Sequence, residues 1–193
     1  MSSAGPDNRQ KILACALRLF SAHGYDGVGI QEIVDAASVT KPTLYHYFGS
    51  KLGLLEVLVA EHFEPYEESL RAAADYRHDV TVTLNRIVRA IFSFAEQDKA
   101  FFRLQLSMWF APVQSEAFKV VARYHERQFA LLEEVFRRAG EDHGNMKGRH
   151  RAHAAAFLGM ADSYVGLFLN GSATLDEPQA RQAVHHFMHG IFS

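Results

Sequence analysis

The chain has one cysteine in 193 residues, Cys15, so no disulfide can form within it and a reducing compartment is the simple expectation. The opening MSSAGPDNRQ lacks the apolar core of a secretory signal. No stretch reaches the roughly 20 uninterrupted apolar residues of a membrane span, and the most apolar run, FLGMADSYVGLFL, is broken by Asp162. A cytoplasmic chain with no membrane partner is expected. Charge of one sign is lacking too: 20 Lys and Arg stand against 22 Asp and Glu, a net charge of −2. No global basic field therefore advertises a polyanionic partner, although a local patch would suffice for one. Runs of alternating β-branched residues are missing, which argues against a sheet. Catalytic signatures are missing as well. There is no phosphate-binding glycine loop and no G-x-S-x-G, and His125-Glu126 is followed by Phe129 where a metalloprotease helix needs its second histidine. No catalytic residue and no cofactor is expected, and an all-helical enzyme is kept only as a rival reading.

What is present is helical periodicity from end to end, about nine helices in an all-α fold. NRQKILACALRLFSAHG puts Ile12, Leu13, Ala16, Leu17 and Phe20 on one face, with Gly24 as its C-cap. IQEIVDAA is a short helix, ASVT a tight connection, and KPTLYHYF the next helix, capped by Thr40 with Pro42 in its first turn. Ser50 caps a long helix containing Pro65. Further helices lie over 81–97, over DKAFFRLQLSMWFA, over SEAFKVVARYHERQFALLEEVFRRAG ending at Gly140, over RHRAHAAAFLGMADSYVGLFLNG, and over QARQAVHHFMHGIF. The composition shifts near residue 50, so residues 1–52 are expected as one domain and 53–193 as a second.

The helix after ASVT has a narrow apolar side. Only Leu44 and Phe48, four residues apart, read as core anchors. Lys41, Thr43, His46 and Tyr47 face away and Tyr45 flanks them. Two short helices joined by a tight turn and steadied by a third describe a helix-turn-helix, whose second helix enters the major groove. Hydroxyls, imidazole and ammonium groups reach phosphates and base edges, and a threonine methyl suits thymine. Lys51 with the first N–H groups of the following helix forms a phosphate clamp. The plainer alternative is a solvated helical hairpin, a scaffold without DNA binding.

The segment GYDGVGIQEIVDAASVTKPTLYHYFGSKLGLLEVL, with its glycine-aromatic turn at Gly24 and Tyr25 and its LYHYF.SK..L signature, resembles the DNA-binding domain of the tetracycline-repressor (TetR) family. The resemblance covers roughly residues 9–58. It implies a homodimer on a pseudo-palindromic double-stranded operator, released by a small molecule bound in the larger C-terminal domain, with repression the family's commoner mode. Lys41, Pro42, Thr43, Tyr45, His46, Tyr47 and Lys51 match its contact helix and clamp. Where many members have Thr or Ser before the second helix this chain has Gly29, which removes a side-chain phosphate contact. Residues 1–53 hold five Lys and Arg against four Asp and Glu, so a single half-site would bind weakly and dimerisation would supply much of the affinity.

Beyond residue 58 the sequence offers two patterns. Small residues Ala152, Ala156, Gly159, Ser163 and Gly166 recur at steps of four and three along one helix face. The last helix carries an apolar stripe of Val184, Phe187, Met188 and Ile191 with Ala180. With the family resemblance these two helices imply a four-helix dimer interface; ordinary core packing is the alternative. The middle is rich in aromatics, and a mostly apolar pocket with a few placed polar groups is expected from Phe102, Gln105, Trp109, Phe110, His125, Gln128, Phe157 and Tyr164. Its walls suit a hydrophobic or aromatic effector. Histidine pairs at 185/189 and 150/153 have metal-compatible spacing, but exposure and the lack of thiols favour no metal site.

Overall fold

A computed structural model describes residues 4–190. The described residues form nine α-helices and one short 3₁₀ turn, with no strand. The helices are α1 (Ala4–His23), α2 (Ile30–Ala37), α3 (Lys41–Phe48), α4 (Lys51–Ala73), α5 (Val80–Gln97), α6 (Lys99–Trp109), α7 (Glu116–Asp142), α8 (His150–Leu169) and α9 (Glu177–His189). They make two compact units. One comprises Met1–Phe63 with Ala100–Arg123, the other Glu64–Lys99 with Tyr124–Ser193.

In the first unit α1, α2 and α3 pack pairwise. Ile12, Ala16, Phe20, Ile33 and Leu44 are fully buried among them, and each large apolar side chain so buried contributes about 1.5–3 kcal/mol. Local chemistry fixes where these helices begin and end. Gly24 takes a positive φ of 76° after α1, a conformation that glycine adopts without steric penalty. Ser38 closes α2 in the left-handed region, at φ 54° and ψ 43°. Thr40 caps α3 by accepting the Thr43 N–H at 3.4 Å, and Ser50 caps α4 by accepting the Gly53 N–H at 2.9 Å. Gly29 has no side chain to offer α2, so Glu32 reaches back to the Gly29 N–H at 2.9 Å.

In the second unit α5, α8 and α9 form the central packing, around Leu84, Ile87, Val88, Ile91, Phe92, Phe157, Val165 and Val184. Pro65 lies within α4 without ending it. α7 departs from expectation, because it passes through Gly140 and ends at Asp142. A Cβ added at Gly140 would make only ordinary van der Waals contact with the Lys147 backbone at 3.5 Å, so this glycine neither terminates the helix nor is required by packing. α9 begins two residues earlier than its apolar pattern, because Asp176 accepts the Gln179 N–H at 2.9 Å and Pro178 occupies the first turn. One described helix, α8, is long and apolar enough by composition to cross a membrane. Its Ala154, Phe157, Leu158, Ala161 and Val165 are nonetheless buried against other helices.

Candidate nucleic-acid interface

The recognition surface follows from how α3 divides its side chains. Leu44 and Phe48 are buried, at 0% and 7% exposure, while Tyr45 is 46% exposed. Lys41, Pro42 and His46 are exposed as well, and Thr43 and Tyr47 are half-buried at the edges. The five residues expected on or beside the outward face are thus all there, with Pro42 exposed next to them. The His46 and Tyr47 rings meet edge to face at 5.2 Å, which holds two donor-bearing rings together. The Thr43 hydroxyl lies 2.9 Å from that of Thr40, so its methyl and its remaining hydrogen-bonding capacity are what it can offer a base edge.

Lys51 is tied down more firmly than a free clamp would be. Its ammonium lies 4.2 Å from the Tyr25 ring centroid, a cation–π distance. Burial lowers its pKa, against the pull of Asp26, Glu116 and Glu32. Tyr25 is itself 4% exposed and donates its phenol to Glu116 at 2.7 Å. Burial first, and the Glu116 bond second, push its pKa far up. The sequence signals neither the Tyr25–Glu116 bond nor Lys51 over Tyr25, because the first joins residues 91 apart. Arg123 pairs with Glu56 at 3.1 Å and Arg9 with Glu61 at 2.5 Å, further ties within this unit.

The residues expected to line a ligand pocket fall into both units. In the first, Phe102 and Gln105 are fully buried, and neither amide atom of Gln105 has a hydrogen-bond partner. Trp109 stacks on Phe118 at 5.5 Å. Phe110 is a correction: α6 stops at Trp109, and Phe110 is 78% exposed beyond it, so it lines no buried pocket. In the second, His125 and Gln128 are buried, and desolvation lowers the His125 pKa to about 4. Phe157 packs against Phe136 and Phe187 at 6.1 and 5.1 Å, which makes it core. Tyr164 is half-buried with its ring 6.1 Å from Phe92. Sequence reasoning missed Tyr66 and Asp162. Tyr66 is fully buried and receives the Gln128 amide N–H at 2.9 Å, and burial pushes Asp162 up to about 7. The one trace of this cluster in the sequence was Asp162 interrupting an apolar run. Two open grooves, of about 620 and 420 Å³, involve none of the expected ligand residues.

The small-residue stripe on α8 lies open. Ala152, Ala156, Gly159 and Ser163 are exposed and Gly166 is half-buried, and a Cβ added at Gly159 or Gly166 would meet nothing within 4 Å. The stripe on α9 is instead largely covered by its own chain. Val184 is 1% exposed, and the Phe187 ring sits 5.9 Å from Phe136 and 5.1 Å from Phe157. Val184 therefore belongs to the core, not to an interface, because the apolar side of α9 faces α5 and α8. Met188 is half-buried, and Ile191 lies outside the described residues. No group of three or more metal-binding side chains occurs among the described residues, although the His185 and His189 rings are 4.8 Å apart.

A three-helix head with a buried inner face and a donor-rich outer face on its third helix is a helix-turn-helix DNA-binding domain. The family model for bacterial regulatory proteins of the tetR family matches residues 12–58, the helix-turn-helix head. Along nearly its whole length it is similar to the HTH-type transcriptional activator FasR of Mycolicibacterium smegmatis, with 27% identity over 97% of this chain and 84% of the relative. A shorter similarity, 33% identity over 33% of this chain and 32% of the relative, links it to the HTH-type transcriptional repressor NemR of Escherichia coli. The fold matches the transcriptional regulator FadR of Bacillus subtilis, solved in complex with stearoyl-CoA, at a TM-score of 0.77 and 19% identity over 94% of this chain and 98% of the other. It also matches PfmR, a TetR-family regulator of Thermus thermophilus, at 0.75 and 23% identity over 94% and 99%.

Proposed function

We propose that this chain is a cytoplasmic, ligand-responsive transcriptional regulator that binds a pseudo-palindromic operator as a homodimer. Residues 1–52 read DNA, and residues 53–193 carry effector binding and dimerisation. The observation that carries this reading is the division of α3: Leu44 and Phe48 anchor it while Lys41, Thr43, Tyr45 and His46 point away from the core. No packing requirement accounts for that outer face, whereas a major groove does. Lys41, Tyr47 and Lys51 contact phosphates; Thr43 and His46 contact base edges; Tyr45 and Pro42 border the groove.

Dimerisation is supported by the exposed glycine- and alanine-rich face of α8, where a second helix can approach closely. The buried, mostly apolar second unit supports an effector that is largely hydrophobic, and the stearoyl-CoA of the similar FadR is a precedent for a long apolar ligand. Repression follows if the operator overlaps a promoter. The similar FasR carries the name of an activator, so the sign of regulation is set by where the operator lies.

The test is selection of bound fragments from random DNA by the purified protein, followed by salt titration. Lys51→Ala should weaken operator and non-operator DNA alike and make the log–log salt dependence shallower by about one. Thr43→Ala should alter base preference at one position per half-site, by about 1–3 kcal/mol. Recovery of no shared sequence, together with an unchanged salt slope in Lys51→Ala, would remove the reading.

A further inference from the structure

Two buried polar side chains of the second unit, Gln128 and Tyr66, bond to each other and leave one acceptor over, and a half-buried carboxylate acts on the same phenol. Gln128 is 4% exposed and gives its amide N–H to the Tyr66 hydroxyl at 2.9 Å, but its carbonyl oxygen accepts nothing. An unsatisfied buried acceptor costs about 1–3 kcal/mol, so its retention in an otherwise apolar interior calls for a donor. Tyr66, fully buried and stacked on Phe94 at 4.4 Å, is the shared neighbour: the Asp162 carboxylate acts electrostatically on the same phenol. Asp162 is half-buried on α8, and no donor or cation among the described residues pairs with it. Other charged side chains of this unit are paired with one another. Glu67 is held by Arg127 and Arg71, and Arg89 pairs with Glu177 at 3.6 Å.

Two acceptors around one tyrosine, with aromatic rings beside them, select a ligand that brings donors and positive charge. We propose that the second unit binds an apolar molecule carrying a protonated amine, whose ammonium donates to the Asp162 carboxylate and to the Gln128 carbonyl oxygen. The inference rests on the ligand-responsive reading and names the head group of the effector. The Phe94 ring, stacked on Tyr66 at 4.4 Å, would lie against its hydrophobic body. Burial raises Asp162 to about 7, so part of the population carries a proton at neutral pH. A bound ammonium favours the ionised carboxylate, and binding therefore releases a fraction of a proton. Neither a merely structural aspartate nor a purely hydrophobic pocket would do so.

The experiment uses the full chain with decylammonium, decanol and decanoate below their micellar concentrations, by titration calorimetry at pH 7 in two buffers of different ionisation enthalpy. Decylammonium should bind about tenfold more tightly than decanol, as expected for a charge-assisted hydrogen bond, with proton release. Asp162→Asn, close in shape and neutral, should bring the two within about threefold, abolish the proton release and leave decanol unchanged. Gln128→Leu should weaken decylammonium selectively. The inference is overturned if decylammonium binds no better than decanol, if Asp162→Asn leaves the preference intact, or if decanoate or stearoyl-CoA binds more tightly. Operator binding measured without ligand reads the regulator assignment separately. Intact DNA binding with no amine preference sinks only the head-group inference, and absence of DNA binding sinks the regulator reading.

Discussion

Asp162 and His125 titrate in opposite directions on folding, which makes the pH dependence of stability a sharp test of the buried site. Burial raises Asp162 from an ordinary 3.8 to about 7 and lowers His125 from 6.5 to about 4. For Asp162 the folded state holds its proton more tightly. Its contribution is neutral below pH 4, becomes less favourable as pH rises from 4 to 7, and levels off at a loss of about 4 kcal/mol, at about 1.4 kcal/mol per unit of pH. For His125 the folded state resists its proton. Its contribution is neutral above 6.5 and becomes unfavourable as pH falls toward 4, by about 3 kcal/mol in all. Between pH 4 and 6.5 the two slopes nearly cancel in the wild type.

Asp162→Asn removes one slope and leaves the other. Its stability relative to wild type should grow by about 2–3 kcal/mol between pH 5 and pH 8, because every other titrating group is common to both proteins. Urea unfolding followed by far-ultraviolet circular dichroism reads this as a midpoint difference that widens by about 1 M, for a slope of about 2–3 kcal/mol/M. His125→Gln should behave reciprocally, gaining most against wild type at pH 5. A midpoint difference for Asp162→Asn that stays constant across this range would show that Asp162 is ionised in the folded protein at all these pH values. Its environment would then be wet and the proposed site lost.

Tyr25→Phe removes a phenol bonded to the Glu116 carboxylate inside the first unit. It should lower stability by about 1–3 kcal/mol, measured by chemical denaturation, and an unchanged midpoint would mean that the bond contributes nothing in solution. Gly159→Leu or Gly166→Leu should convert dimers to monomers in analytical ultracentrifugation without unfolding the protomer, since neither added side chain meets anything within 4 Å at its Cβ; persistent dimers from both variants would place the interface elsewhere. Gly53→Ala should abolish operator binding in a fluorescence-anisotropy titration, because its Cβ would fall 2.1 Å from the Phe48 carbonyl oxygen. Wild-type affinity would mean that the α3–α4 junction relaxes freely.

The head of the molecule was legible because its signals are local. Leu44 and Phe48 are one helical turn apart, and the Thr40 and Ser50 caps lie within three residues of the N–H groups they bond. Errors arose where a local pattern had to be assigned a partner. An apolar stripe containing Val184 announces burial but not whose surface buries it, and here α5 and α8 do. Gly140 has the composition of a helix stop, yet α7 runs through it to Asp142. Phe110 continued an aromatic cluster in the sequence, while α6 ended one residue before it. The Gln128–Tyr66 bond spans 62 residues and has no periodic signature at all.

Gly53 gives the recognition helix a stiff mounting. With the Phe48 carbonyl occupying the place of a side chain on the first turn of α4, and Ser50 bonded to the Gly53 N–H between them, the joint has no slack into which α3 could tilt. A change of operator preference through reorientation of α3 is then closed to drift by ordinary substitution at this junction. It must come from exchange of the outward side chains at 41, 43, 45 and 46 on a fixed frame. Residues 40–53 accordingly form a cassette, whose reading face can be rewritten while its angle is inherited.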